Sequence, residues 1–152
     1  MRRAVAISLK IPDNTAYTAL VTLRRLCVDV ARIERSDVYL FESDDAAAAL
    51  SARVAADETI FNPNKHRLVV LEEPFPRAGE VWIEPLEGDL AGQSERNRPA
   101  RRTAWRLYDE DGEPIGPAVL EAAVERLLCN PAIDRAVTAT RARDRDSGNG
   151  AE

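Results

Sequence analysis

The sequence predicts an α+β fold of two ferredoxin-like βαββαβ units, antiparallel sheets with helices on one face, the second unit reduced. Three observations predict it. Val5, Ile7, Leu9 and Ile11 alternate at period two, and helical spacing begins directly after them. Strand and helix signals then continue in the order β-α-β-β-α-β as far as Leu71. Finally, two Asn-Pro dipeptides, Asn62-Pro63 and Asn130-Pro131, stand in similar surroundings at an offset of 68.

Residues 4–11 read as a strand buried on one side. Pro12 stops it, Asp13 or Asn14 is a natural N-cap, and Ala16, Leu20, Leu23 and Cys27 recur at helical spacing, which predicts a helix of about 14 residues. Val30–Arg35 and Val38–Glu42 are β-type runs on either side of Ser36-Asp37, a turn-forming pair, and together they predict a hairpin. Ser43 and Asp44 cap a second helix whose run Ala46–Ala49 offers a small face to a sheet. Asn62-Pro63 breaks it, and Arg67–Leu71 is a strand ended by Pro74 and Pro76.

The second part is plainer. Residues 80–86 read as a strand, 88–100 as a polar loop, and strand signals return from Thr103 to Tyr108. Asp111-Gly112 marks a turn, and Gly116-Pro117 opens a helix striped by Val119, Leu120, Ala123, Val124, Leu127 and Leu128. Ile133–Thr138 reads as the last strand. The organisation predicted is a unit over 1–73, a partial second unit over 74–140 and a disordered tail over 141–152, the units packing through open sheet faces or in a dimer of the whole chain.

Composition narrows the function. The chain has 152 residues, 45% hydrophobic but only 5% aromatic, so its core is built from Ala, Val, Leu and Ile in thin layers. One histidine is too few for a His-based zinc cluster, and a Ser-His or Cys-His relay would have to run through His66. His66 falls at a strand entrance between Lys65 and Arg67, which reads as a junction residue. With 21 basic and 26 acidic side chains, net charge is −5, against a nucleic-acid footprint spread over the surface. No stretch approaches the roughly 18 apolar residues of a membrane span. Cys27 and Cys129 have no metal or redox spacing and read as buried, inert thiols. A cytoplasmic protein with no membrane or nucleic-acid partner is expected.

The repeat extends beyond the dipeptides. Leu40-Phe41-Glu42 stands against Leu107-Tyr108-Asp109, one residue out of register, and Arg67-Leu68-Val69 against Arg135-Ala136-Val137. Within it, Glu125–Asp134 carries Leu127, Leu128, Asn130, Pro131 and Ile133 in the pattern Leu-Leu-x-Asn-Pro-x-Ile. This stretch resembles the C-terminal signature of PurS, the small subunit of multi-subunit phosphoribosylformylglycinamidine synthase, and Leu9-Lys10 closes an opening strand similar to that family's. Family chains are single-copy and have an Asp-Pro-x-Gly loop after the first strand, where this sequence has Ile11-Pro12-Asp13. Lys65 replaces the motif isoleucine in the first copy. The resemblance implies a non-catalytic subunit of purine biosynthesis that helps hold a glutaminase subunit against a synthetase subunit, self-associates and needs no cofactor. A tandem chain would do within one polypeptide what PurS does by dimerising. The alternative is a ligand-sensing module like the ferredoxin-like ACT domains.

The strongest local charge feature is Arg96, Arg98, Arg101, Arg102 and Arg106, five guanidinium groups and no carboxylate in eleven residues. It reads either as an anion or partner-docking loop, the planar fork matching carboxylate or phosphate, or as a solvated loop balanced by Asp109, Glu110, Asp111 and Glu113. No phosphate-loop, dinucleotide, nucleophile-elbow or zinc-protease motif occurs. No catalytic, cofactor-binding or metal residue is assigned.

Overall fold

Both parts of the chain feed one antiparallel sheet. The computed structural model describes residues 1–86 and 99–139. In chain order they form β1 (Arg2–Leu9), α1 (Asn14–Arg25), β2 (Arg32–Glu42), α2 (Ala47–Ala55), β3 (His66–Val70), β4 (Glu80–Pro85), β5 (Ala100–Tyr108), α3 (Pro117–Ala123) and β6 (Asp134–Thr138). A π-helical turn, Val124–Leu128, prolongs α3. The strands lie in the order β3-β1-β2-β5-β4-β6.

The α+β class and the antiparallel pairing are as the sequence implies. The hairpin at Ser36-Asp37 is not. β2 runs unbroken through both residues because β5 pairs with it from Arg32↔Tyr108 to Leu40↔Ala100, and that ladder outweighs a turn-prone composition. The two parts therefore meet edge to edge through β2 and β5, not through sheet faces.

Register makes the repeat quantitative. Shifting β1 by 76, β2 by 66 and β3 by 68 carries the pairs Val5↔Tyr39 and Val5↔Val70 onto Val81↔Trp105 and Val81↔Thr138. Phe41 therefore matches Leu107, and the sequence alignment of Phe41 with Tyr108 is one residue out. Asp37 is carried onto Thr103, its own partner across the β2–β5 seam. A pseudo-two-fold axis passes between them.

The Asn-Pro turns share three hydrogen bonds. The Asn62 side chain accepts from the Asn64 N–H at 2.9 Å, and that of Asn130 from Ala132 at 3.1 Å. The Asn62 carbonyl accepts from Lys65 and His66 at 3.0 and 2.8 Å, and the Asn130 carbonyl from Ile133 and Asp134 at 3.1 and 2.8 Å. Asparagine works here as a side-chain acceptor that closes the turn. Neither asparagine adopts the left-handed conformation that this residue tolerates at helix ends; among the described non-glycine residues only Cys27 does, at φ 63°.

Helices cover one face. Ala16, Ala19 and Leu23 of α1 and Leu120 and Ala123 of α3 pack with Ile33, Val81, Trp105, Leu107 and Ala136 of the sheet. Leu50 and Val54 of α2 pack on Val5 and Ile7. Burying a leucine completely, as at Leu23, Leu50 and Leu107, stabilises by about 1.5–3 kcal/mol. Ala46–Ala49 are exposed, so α2 seats on its branched residues and not on an alanine face. On the opposite face Ala4, Ala6, Val38, Leu40, Trp82 and Ala104 form a third cluster with Leu71.

Local chemistry explains the ends of the elements. The Asp13 carboxylate accepts from Thr15 and Ala16 N–H groups and caps α1. That helix closes with Val28 N–H on the Leu23 carbonyl and Cys27 N–H on that of Arg24, a Schellman closure in which Cys27 takes the left-handed position. Cys27 is consequently exposed and Cys129 half-buried, so the expectation of two buried thiols fails. Ser43 caps no helix; its hydroxyl accepts from Asp45 N–H, and the N-cap of α2 is Ala46, which has no side chain to cap with. β5 begins at Ala100, three residues before the expected Thr103, because β2 supplies partners that far. The expected disordered tail and most of the 88–100 loop lie outside the described residues.

Candidate functional site

β1 pairs with β2 only as far as Ile7↔Asp37, because Pro12 soon turns the chain into α1. β2 continues past that point to Arg32 with β5 on its other side. A cleft of about 530 Å³ opens there between the end of β1 and the starts of β2 and β3. Its walls include Ser8, Ser36, Arg67, Arg77, Glu80 and Arg106.

The cleft is basic in an acidic protein: Arg32, Arg35, Arg67, Arg77 and Arg106 line it against Asp13, Glu34 and Glu80. Most of these charges are engaged. Arg35 donates to both Asp13 oxygens, at 2.9 and 3.2 Å. Burial alone would raise the Asp13 pKa, but the Arg35 bonds and the helix N–H groups hold it below its ordinary 3.8. Arg77 pairs with the buried Glu80 at 2.8 Å, and the Glu80 carboxylate also accepts from Trp82 Nε1 at 3.1 Å. Arg32 and Arg106 stack on the Tyr108 ring, 4.1 and 5.4 Å from its centroid. Tyr108 donates to Glu34 at 3.2 Å, and burial together with that carboxylate raises its pKa above 10.0. The Arg67 side chain is exposed and makes no hydrogen bond or ion pair among the described residues.

The second half carries a different arrangement on the same face. Glu84, between β5 and β6, accepts from Arg102 at 3.0 Å and from Arg135 at 2.6 Å. The Arg102 side chain is only 7% exposed, so this is a desolvated charge pair with Arg135 at its open end.

A smaller cavity of about 240 Å³ lies on the helix face between α1 and the turn after α2. It is lined by Asp13, Arg35, Asp37, Tyr39, Thr59 and His66, among others. His66 Nδ1 accepts the Asn62 N–H at 3.0 Å, which fixes the ring in the Asn-Pro turn. With Nδ1 so occupied the neutral ring keeps its proton on Nε2. Among the described residues no three His, Cys, Asp or Glu side chains lie close enough to hold a metal ion.

The described members of the arginine cluster picked out in the sequence lie in a strand and not in a loop. Arg96 and Arg98 lie outside the described residues. Arg101, Arg102 and Arg106 belong to β5, whose side chains alternate between faces. Arg101 is exposed, Arg102 is buried with Glu84, and Arg106 lies at the far end with its Nε on the Ala78 carbonyl at 3.2 Å. Of the Leu-Leu-x-Asn-Pro-x-Ile residues, Leu127 is exposed and Leu128 half-buried at the end of α3, and Asn130 and Pro131 form the turn. Ile133 is exposed, and its carbonyl accepts the N–H of Leu86, another exposed apolar residue. Sequence reasoning missed Arg67, Ser8 and Ser36. The only signal was the alignment of Arg67 with Arg135, and its meaning needs the register.

No family model matches the chain, and no curated protein sequence matches it.

Proposed function

We propose that this chain is a non-catalytic assembly protein of the PurS kind, a fused pair of ferredoxin-like units that holds a glutaminase subunit against a synthetase subunit of phosphoribosylformylglycinamidine synthase. The observation that carries the reading is the pseudo-two-fold axis between Asp37 and Thr103. One polypeptide supplies both sides of a seam that a single-copy chain would form by pairing with a second copy. β3 stands at one outer edge of the sheet, where a strand of a partner can be added. The lone histidine is committed to a turn, and the Leu-Leu-x-Asn-Pro-x-Ile residues lie at the end of α3 and the entry to β6. Tagged full-length protein purified from its native host should bring down a glutaminase and a synthetase subunit. Recovering neither overturns the proposal.

A second reading, an ACT-like ligand sensor, is favoured by the polar cavity that reaches Asp37 at the pseudo-axis. A ligand there would raise the melting temperature by mass action. A thermal-shift screen of amino acids and purine intermediates separates the two: a specific rise with one compound selects the sensor, and no rise leaves assembly.

A further inference from the structure

We infer that the cleft at the open end of β1 is a binding site for an external carboxylate, held by Arg67 with the Ser8 and Ser36 hydroxyls. The inference comes from the internal symmetry and is independent of the assembly role.

The shifts that superpose the halves carry Ser36 onto Arg102, Ser8 onto Glu84 and Arg67 onto Arg135. In the second half the central position is a carboxylate that pairs with the guanidinium groups on both sides of it. In the first half Arg67 faces Ser8 in the register where Arg135 faces Glu84. The arginine is retained and the carboxylate is absent. Serine is shorter than glutamate and offers a hydroxyl donor, so the same backbone leaves space and donors where the second half has an acid. The cleft supplies that space, lined by Ser8, Ser36 and Arg67 together.

The surroundings favour an anion. The cleft's three acids are already engaged, Asp13 by Arg35, Glu34 by Arg32 and Tyr108, and Glu80 by Arg77 and Trp82. Arg67 is the lining guanidinium with no protein partner among the described residues, and a carboxylate matches its planar fork. The acid can be a free small molecule or a Glu or Asp side chain of an acidic peptide; the chemistry is shared.

The test titrates full-length protein with sodium succinate and, separately, with octaglutamate, following the arginine Nε–Hε resonances by NMR. Saturable shifts centred on Arg67 are expected with at least one probe: succinate alone points to a free acid, octaglutamate to a peptide. Arg67→Gln should weaken binding about tenfold, the loss of one charge-assisted interaction. Ser8→Glu restores the acid of the second half and should abolish binding while shifting the Arg67 resonance without any probe. Both variants are checked for native amide dispersion; if Ser8→Glu does not fold, Arg67→Gln decides. Absence of binding by both probes, or unchanged binding in a folded variant, overturns the site.

Discussion

Residues 1–71 and 80–139 trace the same strand arrangement with opposite chemistry on the face that carries no described helix. Ala4, Ala6 and Ser8 of β1 match Glu80, Trp82 and Glu84 of β4, and Ser36 of β2 matches Arg102 of β5. At these four positions the first half is small and uncharged, and the second is bulky or ion-paired. What the halves share is register and turns, so the backbone arrangement is held by hydrogen-bonded geometry, and face chemistry diverged around it.

The largest effect that would test this contrast comes from the ion row. Glu84→Ala removes the carboxylate that the buried Arg102 shares with Arg135 and should cost about 3–5 kcal/mol in urea unfolding. Its counterpart Ser8→Ala lies in an open cleft and should change stability by less than about 0.5 kcal/mol. Equal costs at both positions would mean that the rows are energetically alike despite their chemistry.

Gly79 marks a second asymmetry, with φ +71° at the entry to β4. A Cβ there would stand 2.8 Å from the Pro114 Cβ and 2.9 Å from the Leu107 carbonyl oxygen. Gly79→Ala should cost about 2–3 kcal/mol, backbone strain and overlap together. Gly112 shares the conformation at φ +78° but has nothing within 4 Å, so Gly112→Ala should cost only about 1 kcal/mol. Their difference, read from thermal unfolding, isolates the packing of the 108–115 turn on β4. The first half has no such constraint, since the residue matching Gly79 is Arg3.

The Asn-Pro turns approach the two halves from the other side, because there the halves should agree. Asn62→Ala and Asn130→Ala each remove one of the three hydrogen bonds that the turns share, and each should cost about 1 kcal/mol. Denaturant midpoints measured side by side should match; a large inequality would show that the turns, though alike in geometry, are unequally supported.

The places where sequence reasoning stopped have physical causes. Strand β1, the Asp13 cap and the Pro117 start of α3 were legible because local patterns fix them. Ser36-Asp37 misled because turn propensity is local whereas the β5 ladder that straightens β2 comes from residues more than 60 positions away. Cys27 carried a helical spacing into a position whose conformation depends on how α1 ends. The candidate site was hidden for the same reason: Arg67 aligns with Arg135 by eye, but only pairing registers place Ser8 where Glu84 would be.

The smallest effect concerns α1, a helix matched by no described element of the second half. Asp13 both caps it and pairs with Arg35, and its pKa is held below 3.8 in the folded chain. A depressed carboxyl pKa means that the unfolded chain binds more protons in that window, so stability rises with pH there. The contribution is complete above the unfolded value and is lost as pH falls through the folded one. Asp13→Asn keeps an equally good cap but removes the charge, so at pH 7 it should cost about 0.5–1 kcal/mol. The cost should vanish as the wild-type carboxyl is protonated, the two stabilities converging as pH falls through the lowered folded-state pKa. Urea midpoints for both proteins from pH 7 to pH 2 measure this. Convergence would assign the acid sensitivity of α1 to the Asp13–Arg35 pair; parallel curves would assign it to carboxylates elsewhere, leaving Asp13 as a cap alone.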